Sequence, residues 1–193
     1  MAAILLLVLI VHHTNNGMRV LQSNIQSINT SVPPLRQCSH RLHAETILLQ
    51  EIWHPIDGHI NIRNYSIATV KLRNGREGGG VAIITHNSVR TLHKADYEVD
   101  GLEAVWDDVM DKKVRMIVGS VYIPPGDVKA LELLDDVISR ILLSNIGMDS
   151  NSHSTLWDDK SIGISPYCKL KWVIHCISGA PELWMWGAIA SSC

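Results

Sequence analysis

Thr46-Ile47-Leu48-Leu49-Gln50-Glu51-Ile52-Trp53 is a short apolar run that meets an amide and a carboxylate and then enters His54-Pro55. Its apolar residues follow one another without a polar face, and a proline bounds it, so it reads as a strand buried on both faces. The run predicts a central strand of an α/β sheet with Glu51 at its outgoing end. Taken alone, a carboxylate in that position is more often a solvated strand end than a ligand.

Working outward from this strand, Arg19-Val20-Leu21-Gln22 reads as a first strand that delivers Asn24 to its end. An Asn side chain carries both a donor and an acceptor, which suits support of a carboxylate or of a metal-bound water. Between the two strands, Ser31 followed by Pro33 and Pro34 predicts a helix start, because proline is tolerated in a first helical turn; Leu35, Cys38 and Leu42 then share one face. Asn24 and Glu51 are thus expected at the carboxyl ends of two strands in a strand, helix, strand unit, the edge at which α/β sheets build sites.

Downstream, Tyr65–Val70 predicts another strand, and Gly78-Gly79-Gly80 precedes the strand Val81-Ala82-Ile83-Ile84. The glycines lack the Lys-Ser/Thr and following helix of a phosphate-binding loop, so close packing or a turn explains them better. Glu103–Val109 and Val114–Tyr122 predict a hairpin that Pro124-Pro125-Gly126 stops. Asp127 caps a helix in which Val128, Leu131, Leu134, Val137, Ile138, Ile141 and Leu142 keep helical spacing. Ile146-Gly147-Met148 then approaches Asp149-Ser150-Asn151-Ser152-His153, whose composition alone favours a surface turn.

A chain of 193 residues, 46% hydrophobic and 19% charged, has the makings of one globular domain. The net charge of -2 exerts no global pull on nucleic acid, so such binding needs a local patch. Arg63, Lys71, Arg73, Arg76, Arg90 and Lys94 supply one candidate, opposed within the stretch only by Glu77, although without further context such a stretch is more often a solvated basic loop. Cys38, Cys168, Cys176 and Cys193 have no zinc-site spacing. The apolar decamer of residues 2–11 is too short for a membrane span and lacks a basic leader, so residues 1–17 are expected to be an N-terminal extension rather than a secretory signal. That favours a nuclear or cytoplasmic setting. Residues 160–193 hold Trp172, Trp184 and Trp186 without sustained periodicity and are expected to be a divergent tail.

Leu21-Gln22-Ser23-Asn24, Ile47 to Trp53, Gly79 to Ile83, Val121-Tyr122-Ile123-Pro124-Pro125 and Asp149 to Trp157 occur in an order that resembles the endonuclease/exonuclease/phosphatase superfamily, and most of all the apurinic-type endonuclease domain of non-LTR retrotransposons. The resemblance covers roughly residues 18–159. It implies an α/β fold, a partial four-layer α/β sandwich of two packed mixed sheets with flanking helices, the second sheet incomplete. It also implies cleavage of a DNA phosphodiester with Mg²⁺, Mn²⁺ being the alternative ion. By match of motif, Glu51 is the expected metal ligand, supported by Asn24. Asp149 would orient or deprotonate water, Asn151 would hold the phosphate, and Tyr122 would donate toward it. Lys71, Arg73 and Arg76 would touch the DNA backbone, and no specific protein partner is implied. The superfamily's late Ser-Asp-His triplet is absent after residue 160, and Ser23, Met148 and Ser150 depart from the usual pattern. A weak or inactive enzyme is therefore expected, with a non-catalytic transposon-derived remnant as the alternative.

Overall fold

The structure is a computed structural model; it describes residues 6–10, 18–25, 27–53, 62–73, 78–111, 115–124, 127–141 and 144–149, with the backbone alone for 6–10, 30 and 144–149. Thr46–Gln50 forms the strand β3 and is buried at every position. Beside it, in parallel, lies β2 (Arg19–Asn24), with Asn24 level with Gln50. The helix α1 (Ile28–Leu42) makes the crossover between them. Antiparallel to β3 on its other side runs β5 (Val81–His86), followed by β4 (Tyr65–Lys71), and β1 (Leu6–Ile10) pairs antiparallel with the free side of β2.

The second sheet has the order β6 (Arg90–His93), β7 (Glu103–Met110), β8 (Arg115–Tyr122) and β9 (Ser144–Asp149). The predicted hairpin is β7–β8, and α2 (Val128–Arg140) carries the chain from β8 to the parallel β9. Asp127 caps α2 by accepting a hydrogen bond from the Ala130 N–H at 3.0 Å. Both sheets are mixed, as expected.

Side-chain parity builds the layers. Along β3, Ile47 and Leu49 pack on one face with Leu35 of α1, while Leu48 points the other way, into a cluster with Val105, Val109 and Val118 of the second sheet. On the far side of that sheet, Ala104, Trp106 and Val121 meet Ala130, Leu134 and Val137 of α2. The order is helix, sheet, sheet, helix. Trp106 lies directly across from Gly119, where a Cβ would sit 2.2 Å from the indole ring. Only a glycine leaves room for that ring.

Three sequence expectations shift. The helix start moves from Ser31 back to Ile28, so Pro33 and Pro34 lie inside α1. Tertiary bonds set this start: the N–H groups of Ile25, Ser27 and Ile28 donate to the carbonyls of Gln50, Glu51 and Ile52 at 3.0, 2.9 and 3.0 Å. Ser31, instead of capping, donates its hydroxyl to the Ile25 carbonyl at 2.8 Å. Part of the stretch read as an extension, Leu6–Ile10, is an edge strand of the first sheet. The basic residues Lys71 and Arg73 also have acidic partners that lie far along the chain. No helix among the described residues is long and apolar enough to cross a membrane.

Candidate active site

The strands that run in parallel within each sheet end on one rim of the sandwich. In the first sheet Asn24 stands beside Gln50, with Glu51 the next residue; in the second, Tyr122 is level with Asp149 on one side and with Glu103 on the other. Asn24 and Glu51 are half-buried and Tyr122 is nearly buried, 7% exposed. Of Asp149 the backbone position alone is described; Asn151, Arg76 and His153 lie outside the described residues.

A neutral polar bridge joins the sheets directly beneath this rim. Gln22 Nε2 donates to Gln50 Oε1 at 3.3 Å, Gln50 Nε2 donates to Ser120 Oγ at 2.9 Å, and the Ser120 hydroxyl donates to the Leu49 carbonyl at 2.7 Å. All three side chains are essentially sealed from solvent. Such a buried network fixes the separation of the two sheets, because each lost partner would leave a costly unpaired group. Sequence reading saw Gln50 only as the amide ending a run. Parity offered the missing signal: Gln50 shares a strand face with Leu48, and Ser120 shares one with Val118 and Tyr122, so these polar side chains must point between the sheets.

The backbone beyond β3 is strained. Glu51 and Trp53 have φ of 54° and 61°, the left-handed region, and the facing Gly78, Gly79 and Gly80 have φ of 85°, 77° and 85°. A bulky residue there costs on the order of 1–3 kcal/mol and persists only where its surroundings dictate it. Here they do: the N–H groups of Ile52 and Trp53 donate to the carbonyls of Gly80 and Gly79 at 3.2 and 2.9 Å. A Cβ on Gly80 would come 2.8 Å from Ile52 Cγ1, and one on Gly79 would come 2.7 Å from Glu103 Oε1. Gly79 and Gly80 are thus close-packing positions.

Glu103, which sequence reading took only as a strand start, ties the rim together. Its carboxylate accepts from the Gly80 N–H and, at 2.7 Å, from Arg73 Nε. The Arg73 guanidinium lies 5.1 Å from the centre of the Tyr122 ring. Its Nη2 is buried without a hydrogen-bond partner among the described residues. Lys71 reaches Glu98 at 3.7 Å and donates to the Leu102 carbonyl at 3.2 Å. Among the described residues no group of three or more His, Cys, Asp or Glu side chains is arranged to hold a metal ion.

No family profile matches the sequence, and no characterised protein matches it by sequence. Solved structures do. The endonuclease domain of TRAS1, a telomere-specific non-LTR retrotransposon, superposes with a TM-score of 0.56 at 19% identity, covering 73% of this chain and 62% of that domain. The fold is of the endonuclease/exonuclease/phosphatase type. A 3'-5' exonuclease, NExo, from Neisseria meningitidis is similar at a TM-score of 0.48 and 18% identity over 69% of this chain and 58% of that one. A 3' phosphatase structure of NExo from Neisseria, bound to product DNA hairpin, has a TM-score of 0.45 at 18% identity over 67% of this chain and 56% of that one. The chain therefore spans less than two thirds of the length of each of these folds.

Proposed function

We propose that this rim is a phosphodiester-cleaving site that acts on DNA with the help of Mg²⁺, Mn²⁺ being the alternative ion. The observation that carries the proposal is the register: two parallel strand pairs on two facing sheets bring Asn24, Glu51, Tyr122 and Asp149 to the same edge.

The donor set fits Mg²⁺, which takes one or two carboxylates and keeps much of its water shell, better than it fits a cage of three or four protein ligands. Glu51 would hold the ion, with Asn24 beside it as polar support. When bound, the ion supplies positive charge to the phosphate oxygens. Asp149 is the residue to orient or deprotonate the attacking water, and Asn151 is the residue to hold the phosphate. Tyr122 donates its hydroxyl toward the phosphate, its ring steadied by Arg73. Lys71, Arg73 and Arg76 would meet the DNA backbone, which positions a duplex without reading its sequence. The ion pairs of Lys71 and Arg73 with Glu98 and Glu103 reduce their net positive field.

Nicking of supercoiled plasmid in Mg²⁺ tests the proposal. Glu51→Ala and Asp149→Ala are each expected to lower the rate by about 10²–10⁴-fold, the usual contribution of one positioned catalytic group. Wild-type nicking no faster than that of Glu51→Ala would overturn it. A second reading, a non-catalytic transposon-derived remnant that at most binds nucleic acid or a partner, is favoured by Ser23, Met148 and Ser150, which depart from the superfamily's usual pattern next to Asn24 and Asp149. It predicts binding of the plasmid with no metal-dependent nicking.

A further inference from the structure

Trp53 is the one aromatic residue among the large exposed hydrophobic side chains of the described residues, 46% exposed. Single exposed apolar side chains are common and need no explanation. Trp53 differs because the chain holds it out by an unfavourable backbone. Its φ of 61° comes two residues after the similarly left-handed Glu51, so the strain and the exposed ring sit beside the candidate metal ligand.

The surroundings are built to hold this conformation. The Trp53 N–H is tied to the Gly79 carbonyl at 2.9 Å, and the preceding Ile52, fully buried, seats against Gly80. A Cβ placed on Gly78 would lie 3.6 Å from the indole Nε1 and 4.0 Å from both Cδ1 and Cε2. A methyl at that position would therefore sit at ordinary contact distance from the five-membered ring, which places the indole alongside the glycine turn. Arg73, whose guanidinium would be 2.8 Å from a Cβ on Gly79, brings a cation to the same glycine turn. A rigid aromatic surface beside a cation is the arrangement that single-stranded nucleic acid uses, its bases stacking on rings while its backbone follows positive charge.

We propose that Trp53 is a stacking platform for one unpaired nucleobase of the nucleic acid whose phosphodiester enters the Glu51 site. The proposal rests on the phosphodiesterase reading for its choice of ligand, but it is read by binding rather than by cleavage. Stacking is tolerant of base identity, so Trp53 selects for an unpaired base and not for a sequence.

The test uses fluorescence anisotropy of a labelled single-stranded oligonucleotide in EDTA, where no metal-dependent cleavage occurs, with the full chain as wild type, Trp53→Ala and Trp53→Phe. Loss of one base–aromatic stack is worth about 5- to 150-fold in affinity, so Trp53→Ala is expected to bind about 10-fold more weakly. Trp53→Phe should recover most of that loss, since it keeps an aromatic face. An oligonucleotide in which every base is replaced by an abasic residue should bind wild type and Trp53→Ala alike. Equal affinity of wild type and Trp53→Ala for the normal strand would overturn the platform, as would equal affinity of wild type for the normal and abasic strands, or no binding by wild type at all. Unchanged melting of Trp53→Ala confirms that the loss is local. If nicking fails but the Trp53 effect on binding remains, the cleavage reading falls and the platform stands. If nicking depends on Glu51 while Trp53→Ala binds and nicks as wild type does, the platform falls and the cleavage reading stands.

Discussion

Two of the polar bridges that link the sheets differ in charge. The bridge beneath the candidate site is neutral: Gln22, Gln50 and Ser120 form a chain of hydrogen bonds that ends on a backbone carbonyl. The other joins Thr69 of β4 to Asp107 of β7. There the Thr69 hydroxyl donates to Asp107 Oδ1 at 2.6 Å, and His93 Nδ1 lies 3.4 Å from the same oxygen. His93 Nε2 in turn meets Glu98 at 3.2 Å, and Glu98 meets Lys71. Asp107 is 1% exposed, and its Oδ2 has no hydrogen-bond partner among the described residues. Burial pushes its carboxyl above the ordinary value, a rise that the Thr69 and His93 contacts only partly offset. A neutral bridge holds the sheets at any pH, whereas a buried carboxylate makes the joint sensitive to protons. The strands that carry Glu51 and Tyr122 are joined by the insensitive kind.

The largest disturbance should come from Gly119→Ala, which forces a methyl into the Trp106 ring and so displaces β7 and β8, the strands that carry Asp107 and Ser120. Overpacking of this kind costs about 3 kcal/mol, and a thermal melt should show it at every pH. Ser120→Ala would remove the buried hydrogen bonds that its hydroxyl makes with the Gln50 amide and the Leu49 carbonyl. A loss of about 2 kcal/mol is expected, with no change in the pH dependence of stability, as measured by urea unfolding at several pH values. Thr69→Val removes a hydrogen bond to a charged group, worth about 1.5 kcal/mol near neutral pH. It should steepen the loss of stability with rising pH, because Asp107 would be pushed higher still.

The smallest effect at any one pH, and the most diagnostic, belongs to Asp107→Asn. With its native pKa raised, Asp107 keeps its proton in the folded chain over a range in which the unfolded chain has lost it, so rising pH favours unfolding. Its contribution is fully present below the ordinary carboxylate value of 3.8 and is lost as pH climbs through the raised native value. Relative to wild type, Asp107→Asn should therefore gain stability as pH rises through that window. Parallel pH–stability curves for the two proteins would show that Asp107 is not raised and would remove the contrast between the bridges.

Much of the architecture was legible from local pattern. The continuous apolar run of β3, the alternation and turn of β7–β8, and the helical spacing and Asp127 cap of α2 all depend on residues close together in sequence. Asn24, Glu51, Tyr122 and Asp149 could be placed at strand ends for the same reason. The inward direction of Asp107 was available too, since it shares parity with Val105 and Val109 in β7. The start of α1 was misjudged because proline spacing is a local signal, whereas the helix is anchored by carbonyls that leave β3.

The sequence by itself determined the periodicities, and with them the strands β2, β3, β4, β5, β7 and β8, the second helix and the order in which polar residues arrive at strand ends; β1 and β6 carried no such signal. Only the tertiary structure decided that Arg73 answers to Glu103 and Lys71 to Glu98, that Gln50 crosses to Ser120, and that the carbonyls of Gly79 and Gly80 hold the Ile52–Trp53 backbone beside Glu51. Each of these contacts joins residues tens of positions apart. Periodicity reports which face a side chain takes on its own element; the opposing face is supplied when the two sheets close on one another.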